Sequence, residues 1–112
     1  MRTVVHIPTG DEAEQETGLA IARNLLEDET DSIDEVALVA QGGGIATVRD
    51  DGDTVDKIKS LLEDGVAVSA CSNTLDMMDL EESDLVSGVE TVPEGAVEVT
   101  RLQDEGYAYL RP

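Results

Sequence analysis

The stretch "VAVSACSNTL", Val66 to Leu75, decides how the whole chain is read. Its first half, Val66 to Ala70, is an apolar run of strand length. From Thr74 to Leu80 the residues Leu75 and Met78 stand one helical turn apart, which predicts a short helix. Between the two lies Cys71, the single cysteine of the chain. A buried strand handing over directly to a helix is the unit from which α/β folds are built, so the rest of the sequence is searched for the same alternation.

The alternation is present throughout. "TVVHI" (residues 3–7) is β-branched and bounded by Pro8 and Gly10, which predicts a buried first strand. From Asp11 to about Asp28, Gly18, Ile21, Ala22 and Leu25 follow helical spacing behind Asp11, Glu12 and Glu14, acids that the helix dipole favours in a first turn. "DEVALVA" (34–40) is a second strand, and "QGGG" opens a loop after it. Val55, Ile58, Leu61 and Leu62 predict a helix capped by Asp53 and closed by Gly65. "GVETV" (88–92) is a fourth strand. Pro93 then occupies the first turn of a helix marked by Ala96, Val99 and Leu102 and closed by Gly106, before a last edge strand, "YAYL" (107–110). The predicted fold is α/β: one domain over residues 1–112, a three-layer α/β/α sandwich around a mostly parallel five-stranded sheet.

Composition narrows the function. The chain has 112 residues, 26 acids, seven bases and a net charge of −19, yet 40% of it is hydrophobic and gathered in compact runs. That is a folded domain with a solvated acidic surface, and such a surface repels phosphate backbones. With two aromatic residues there is no stacking platform either, so nucleic acid is excluded as a partner. No stretch is long and apolar enough to span a bilayer, and "MRTVVHIPTGDEAEQ" turns acidic before a secretory core could form, so a cytoplasmic protein without a membrane partner is expected. The surplus of carboxylates, with scarce Lys and no Phe or Trp, resembles cytosolic proteins of salt-loving microbes. One Cys and one His cannot build a structural zinc site, "GGGIAT" lacks the third glycine of a dinucleotide fingerprint, and "RDDGDTVD" fails the calcium-loop template. No metal and no cofactor are expected.

In a parallel sheet all strands end at one edge, and that edge carries the ligand crevice. Pro8–Gly10, Gln41–Gly44, Cys71–Asn73 and Pro93–Gly95 meet there, with His6 just below. Backbone N–H groups at a helix start stabilise a thiolate, the reactive form of cysteine, so Cys71 is a candidate nucleophile. A cysteine beside Val66, Val68 and Ala70 fits equally a small buried hydrophobe. His6 is a packed, hydrogen-bonded residue or a candidate for acid/base help; Gly42, Gly43 and Gly44 are a plain turn or an anion-accepting nest.

The string "ACSNTL" (70–75), followed by "GVETVP" and "RLQDEGYAYLRP" within Glu81 to Pro112, resembles the C-terminal half of DsrE/DsrF-like proteins, and "VVHI" and the Gly-rich loop extend the resemblance loosely over the N-terminal half. With the acidic surface it is that of a haloarchaeal-type member. The resemblance implies the same fold, a homo-oligomer (trimer or hexamer), and a sulfur relay in which a cysteine holds sulfane sulfur as a persulfide and hands it to a sulfur-carrier protein. Cys71 matches the sulfur-carrying cysteine, and Asn73 and Thr74 the adjoining substrate-binding positions. Gln41 stands where many relatives carry His or Asn, and Ser72 where many have Gly. The relay would use Cys71 as nucleophile, with Gln41, Gly42–Gly44, Asn73 and Thr74 around the sulfur and His6 behind them. The alternative is a non-catalytic oligomeric module that binds a ligand or partner in the same crevice.

Overall fold

A computed structural model describes residues 1–112. Five strands, β1 (Arg2–Ile7), β2 (Glu35–Ala40), β3 (Ala67–Cys71), β4 (Glu90–Val92) and β5 (Tyr107–Leu110), form one sheet in the order β4-β3-β2-β1-β5. Every pairing is parallel, so the mostly parallel sheet expected is wholly parallel. The helices are α1 (Glu12–Leu26), α2 (Val55–Glu63), α3 (Ser72–Met77) and α4 (Gly95–Asp104), flanking the sheet on both faces in three layers.

The layers are unequal, and chirality explains why. Strands β1 to β4 are laid down stepwise in one direction across the sheet, so right-handed crossovers place α1, α2 and α3 on a single face. The connection from β4 runs back to the far edge, and the same handedness places α4 on the opposite face. The first face holds the larger core, where Val5, Ile7, Leu38, Ala40, Val68 and Ala70 meet Leu19 and Ala22 of α1, Ile58 and Leu61 of α2 and Leu75 of α3. The second holds Val4, Ala37 and Val39 under Val99 and Leu102 of α4 alone.

Local signals are read mostly as expected. Asp11 caps α1, accepting from the Glu14 N–H at 2.9 Å. Gly65 and Gly106 adopt left-handed conformations, with φ of 94° and 99°. Three local expectations are corrected. The N-cap of α2 is Thr54, not Asp53, and its hydroxyl donates to the Thr47 carbonyl at 2.7 Å instead of capping. Pro93 lies outside α4, which begins at Gly95, because the Pro93 carbonyl accepts from the Asn73 N–H at 3.3 Å. The segment after β2 is a 3-10 helix, Gly42–Val48, not an open loop.

The edge strand β5 is fastened by side chains. The Tyr107 hydroxyl donates to Glu35 Oε2 at 2.8 Å; this hydrogen bond, with burial second, holds the phenol above its ordinary pKa. Arg2 lies over the Tyr107 ring, 4.9 Å from its centroid. At the start of β1 the terminal ammonium bonds Asp34 at 2.6 Å, and that bond keeps the Asp34 carboxyl below its usual range.

Only six of the 26 carboxylates sit in ion pairs. Most of the paired side chains are exposed and each pair contributes little, so screening costs less in lost attraction than it relieves in repulsion among the rest. The melting temperature should therefore rise, by about 5–10 °C, between 0.05 M and 2 M KCl as the Debye length falls below the spacing of surface charges. A melt unchanged across that range would show that the acidic coat is not a destabilising load.

Candidate functional site

The same topology sets two neighbouring strands apart from the rest. Strands β3 and β4 are neighbours, but the helix following β3 lies on one face and the helix following β4 on the other. It is the one adjacent pair whose outgoing helices part in this way, which makes it the topological switch point of the sheet, where open α/β folds bind ligands. Cys71 is the last residue of β3, paired with Val92 of β4, and is also the N-cap residue of α3.

Residue alternation aims these side chains. Val68 and Ala70 belong to the larger core, so Ser69 and Cys71 face α4. Cys71 is 1% exposed but belongs to neither apolar cluster. Its thiol donates to Glu94 Oε1 at 3.6 Å, a weak S–H···O bond to the residue just before α4. The helix-start reading placed the sulfur against the amides of α3. In the structure α3 has only six residues, Cys71 makes no side-chain capping bond, and the thiol turns to the carboxylate instead.

The neighbouring strands continue the row on the same face. Gln41 follows β2 and His6 lies on β1; His6 Nε2 bonds Gln41 Oε1 at 2.8 Å and His6 Nδ1 bonds the Tyr109 hydroxyl of β5 at 2.7 Å. In a neutral imidazole, with the Gln41 carbonyl toward the ring, Nε2 would carry the proton and Nδ1 would accept from Tyr109. His6 is thus held at both nitrogens, and the strand of Gln41 separates it from that of Cys71. Gln41 in turn lies against the start of α4: a Cβ on Gly95 would stand 2.8 Å from Gln41 Oε1 and 3.1 Å from its Cβ.

The glycines have a packing reason. A Cβ on Gly43 would stand 2.5 Å from the Gly10 amide nitrogen, and one on Gly44 would overlap the Ile7 carbonyl. Backbone therefore lies on backbone where the loops after β1 and β2 meet. The Gly42 amide donates to Thr74 Oγ1 at 3.1 Å and the Gly44 amide to the Gln41 carbonyl at 2.9 Å. Gln15 of α1 ties this junction, its side chain donating to the carbonyls of Thr9 at 2.9 Å and Gly43 at 3.1 Å. Thr74 is buried beside the loop, and Asn73 is exposed at the rim.

Sequence reading thus named Cys71, Gln41, Gly42–Gly44, Asn73, Thr74 and His6, and the structure places all of them at one sheet edge. It missed Glu94, the residue that touches the sulfur. The available signal was an acid immediately before a helix at that edge, hidden among 25 others. Tyr109, placed by the sequence only on the last edge strand, also bonds His6.

Comparison with known proteins agrees with this architecture. No curated protein matches the chain. A protein of unknown function, MTH1491 from Methanobacterium thermoautotrophicum, is 35% identical with a TM-score of 0.93, over 99% of this chain and 98% of that one. BT1422, a conserved protein of unknown function from Bacteroides thetaiotaomicron, shares the fold at 15% identity and a TM-score of 0.75, over 97% of this chain and 92% of that one. The ychN protein of E. coli does so at 21% and 0.70, over 98% of each chain. The family model of the DsrE/DsrF-like proteins matches residues 3–112, and the chain belongs to that family.

Proposed function

We propose that this protein is a sulfur-relay protein that carries sulfane sulfur on Cys71. The observation that carries the reading is the position of the thiol: the single cysteine ends β3 at the switch point of the sheet, with its sulfur toward a carboxylate.

The chemistry is thiol exchange. The Cys71 thiolate attacks the outer sulfur of a donor persulfide, R–S–SH; a new Sγ–S bond forms as the donor's S–S bond breaks, and its electron pair leaves on the donor thiolate, which takes up the proton given up by Cys71. An acceptor thiolate on a sulfur-carrier protein then attacks the outer sulfur in the same way and regenerates Cys71. No net oxidant is consumed. Gln41, Asn73, Thr74 and the Gly42–Gly44 loop surround the persulfide, and His6 supports Gln41 from behind. We place the relay in the cytoplasm of a salt-adapted cell, in a homo-oligomer of three or six chains; exposed Tyr109 and Leu110 on the edge strand offer apolar surface for assembly.

Mass spectrometry of the protein purified from its own cells, without reductant, tests the reading. An adduct of about 32 daltons on Cys71, removed by a reducing thiol, is expected. The second reading, a ligand- or partner-binding module, is favoured by the 1% exposure of Cys71. It replaces the relay if Cys71 is unmodified in cells and takes up no sulfur from a sulfane donor.

A further inference from the structure

We infer that Glu94 is a latch over Cys71, closed on the resting thiol and opened when the sulfur becomes an anion. The opening on sulfur loading rests on the relay reading; the closed latch does not. Glu94 occupies the N-cap position of α4, with φ of −146° and ψ of 122°, where Ser, Thr, Asp and Asn side chains accept from the first-turn amides. It makes no such bond, and its Oε1 accepts from the Cys71 thiol instead. One carboxylate therefore has two destinations: the sulfur, or the start of its own ten-residue helix, whose dipole attracts an anion.

Which destination is occupied depends on the charge of the sulfur. A neutral thiol is a weak donor and accepts a carboxylate as neighbour. A thiolate or persulfide anion in the same place repels that carboxylate, because the sulfur is 1% exposed and Glu94 only partly exposed, so solvent screens the pair less than in bulk water. The backbone does not need to move. The Gly95 backbone lies against the Gln41 side chain, which His6 and Tyr109 hold in place, so the start of α4 is braced and the change is a side-chain rotation of Glu94. While the latch is closed, the carboxylate stands against the sulfur; after loading it lies on α4, and the outer sulfur is free of it.

Alkylation of Cys71 by iodoacetamide, followed by intact mass on the full chain at fixed neutral pH, tests the closed state. Glu94→Gln should react roughly tenfold faster than the wild type, since the amide keeps the shape and removes the charge. Glu94→Ala should also react faster, and it stands in if the glutamine variant does not fold. A rate equal to or below that of the wild type in a folded variant overturns the latch. For the open state, the backbone amide resonances of Ala96 and Val97 in α4 should shift when the wild type is loaded from a sulfane donor, and should not shift in Cys71→Ser. If the mass shows a sulfur adduct and those resonances stay put, opening on loading is refuted. If no adduct forms with any sulfane donor, the relay reading fails, and the closed latch is judged by alkylation alone.

Discussion

Gly44→Ala should remove most of the stability of this domain, about 4 kcal/mol or more. The added methyl would stand 2.7 Å from the Ile7 carbonyl carbon and nearer still to its oxygen, with Ile7 Cγ2 at 3.1 Å. Those atoms belong to the last residue of β1, whose carbonyl also accepts from the Gln41 N–H at 3.2 Å, so they cannot retreat without breaking the link between β1 and the loop after β2. Small domains have only about 5–15 kcal/mol in total, so a fall of 15 °C or more in melting temperature is expected. Gly65→Ala is the control. Its φ is 94° but nothing lies within 4 Å of the added Cβ, so only left-handed strain of roughly 1 kcal/mol applies. Equal melting temperatures for the two variants would show that the approach of the two loops is not tight.

Cys71→Ser should reduce sulfur uptake from a sulfane donor to background while leaving fold and melting temperature nearly unchanged. The hydroxyl is not appreciably ionised at neutral pH and forms no persulfide, so the loss is that of the whole reaction. The fold tolerates the exchange for two reasons. Serine is a preferred N-cap, the position Cys71 holds on α3, and its hydroxyl can still donate to Glu94. Sulfur uptake by the serine variant at the wild-type rate would remove Cys71 from the reaction.

Much of the architecture was legible because it is written in local physics. The β-branched runs at Thr3–Ile7 and Val66–Ala70, the cap at Asp11 and the left-handed glycines at 65 and 106 each depend on neighbours only a few residues away. Alternation of strand and helix then leaves parallel pairing as the economical arrangement, and the end of a strand names Cys71 as an edge residue. The misplaced start of α4 has a non-local cause: the Pro93 carbonyl is taken by Asn73, twenty residues earlier, and no propensity of Pro93 records that bond.

The sequence by itself determined that this chain has an α/β fold with an acidic coat and a single thiol at the carboxyl end of a strand, because periodicity, capping and charge are properties of short segments and of composition. The tertiary structure alone decided the strand order β4-β3-β2-β1-β5, and with it that β3 and β4 flank the topological switch point. It alone brought Glu94 to the sulfur across 23 residues and turned three glycines from a flexible turn into a backbone junction. Those outcomes depend on which distant backbones approach one another, and that is set by the handedness of crossovers and by close packing over the whole sheet.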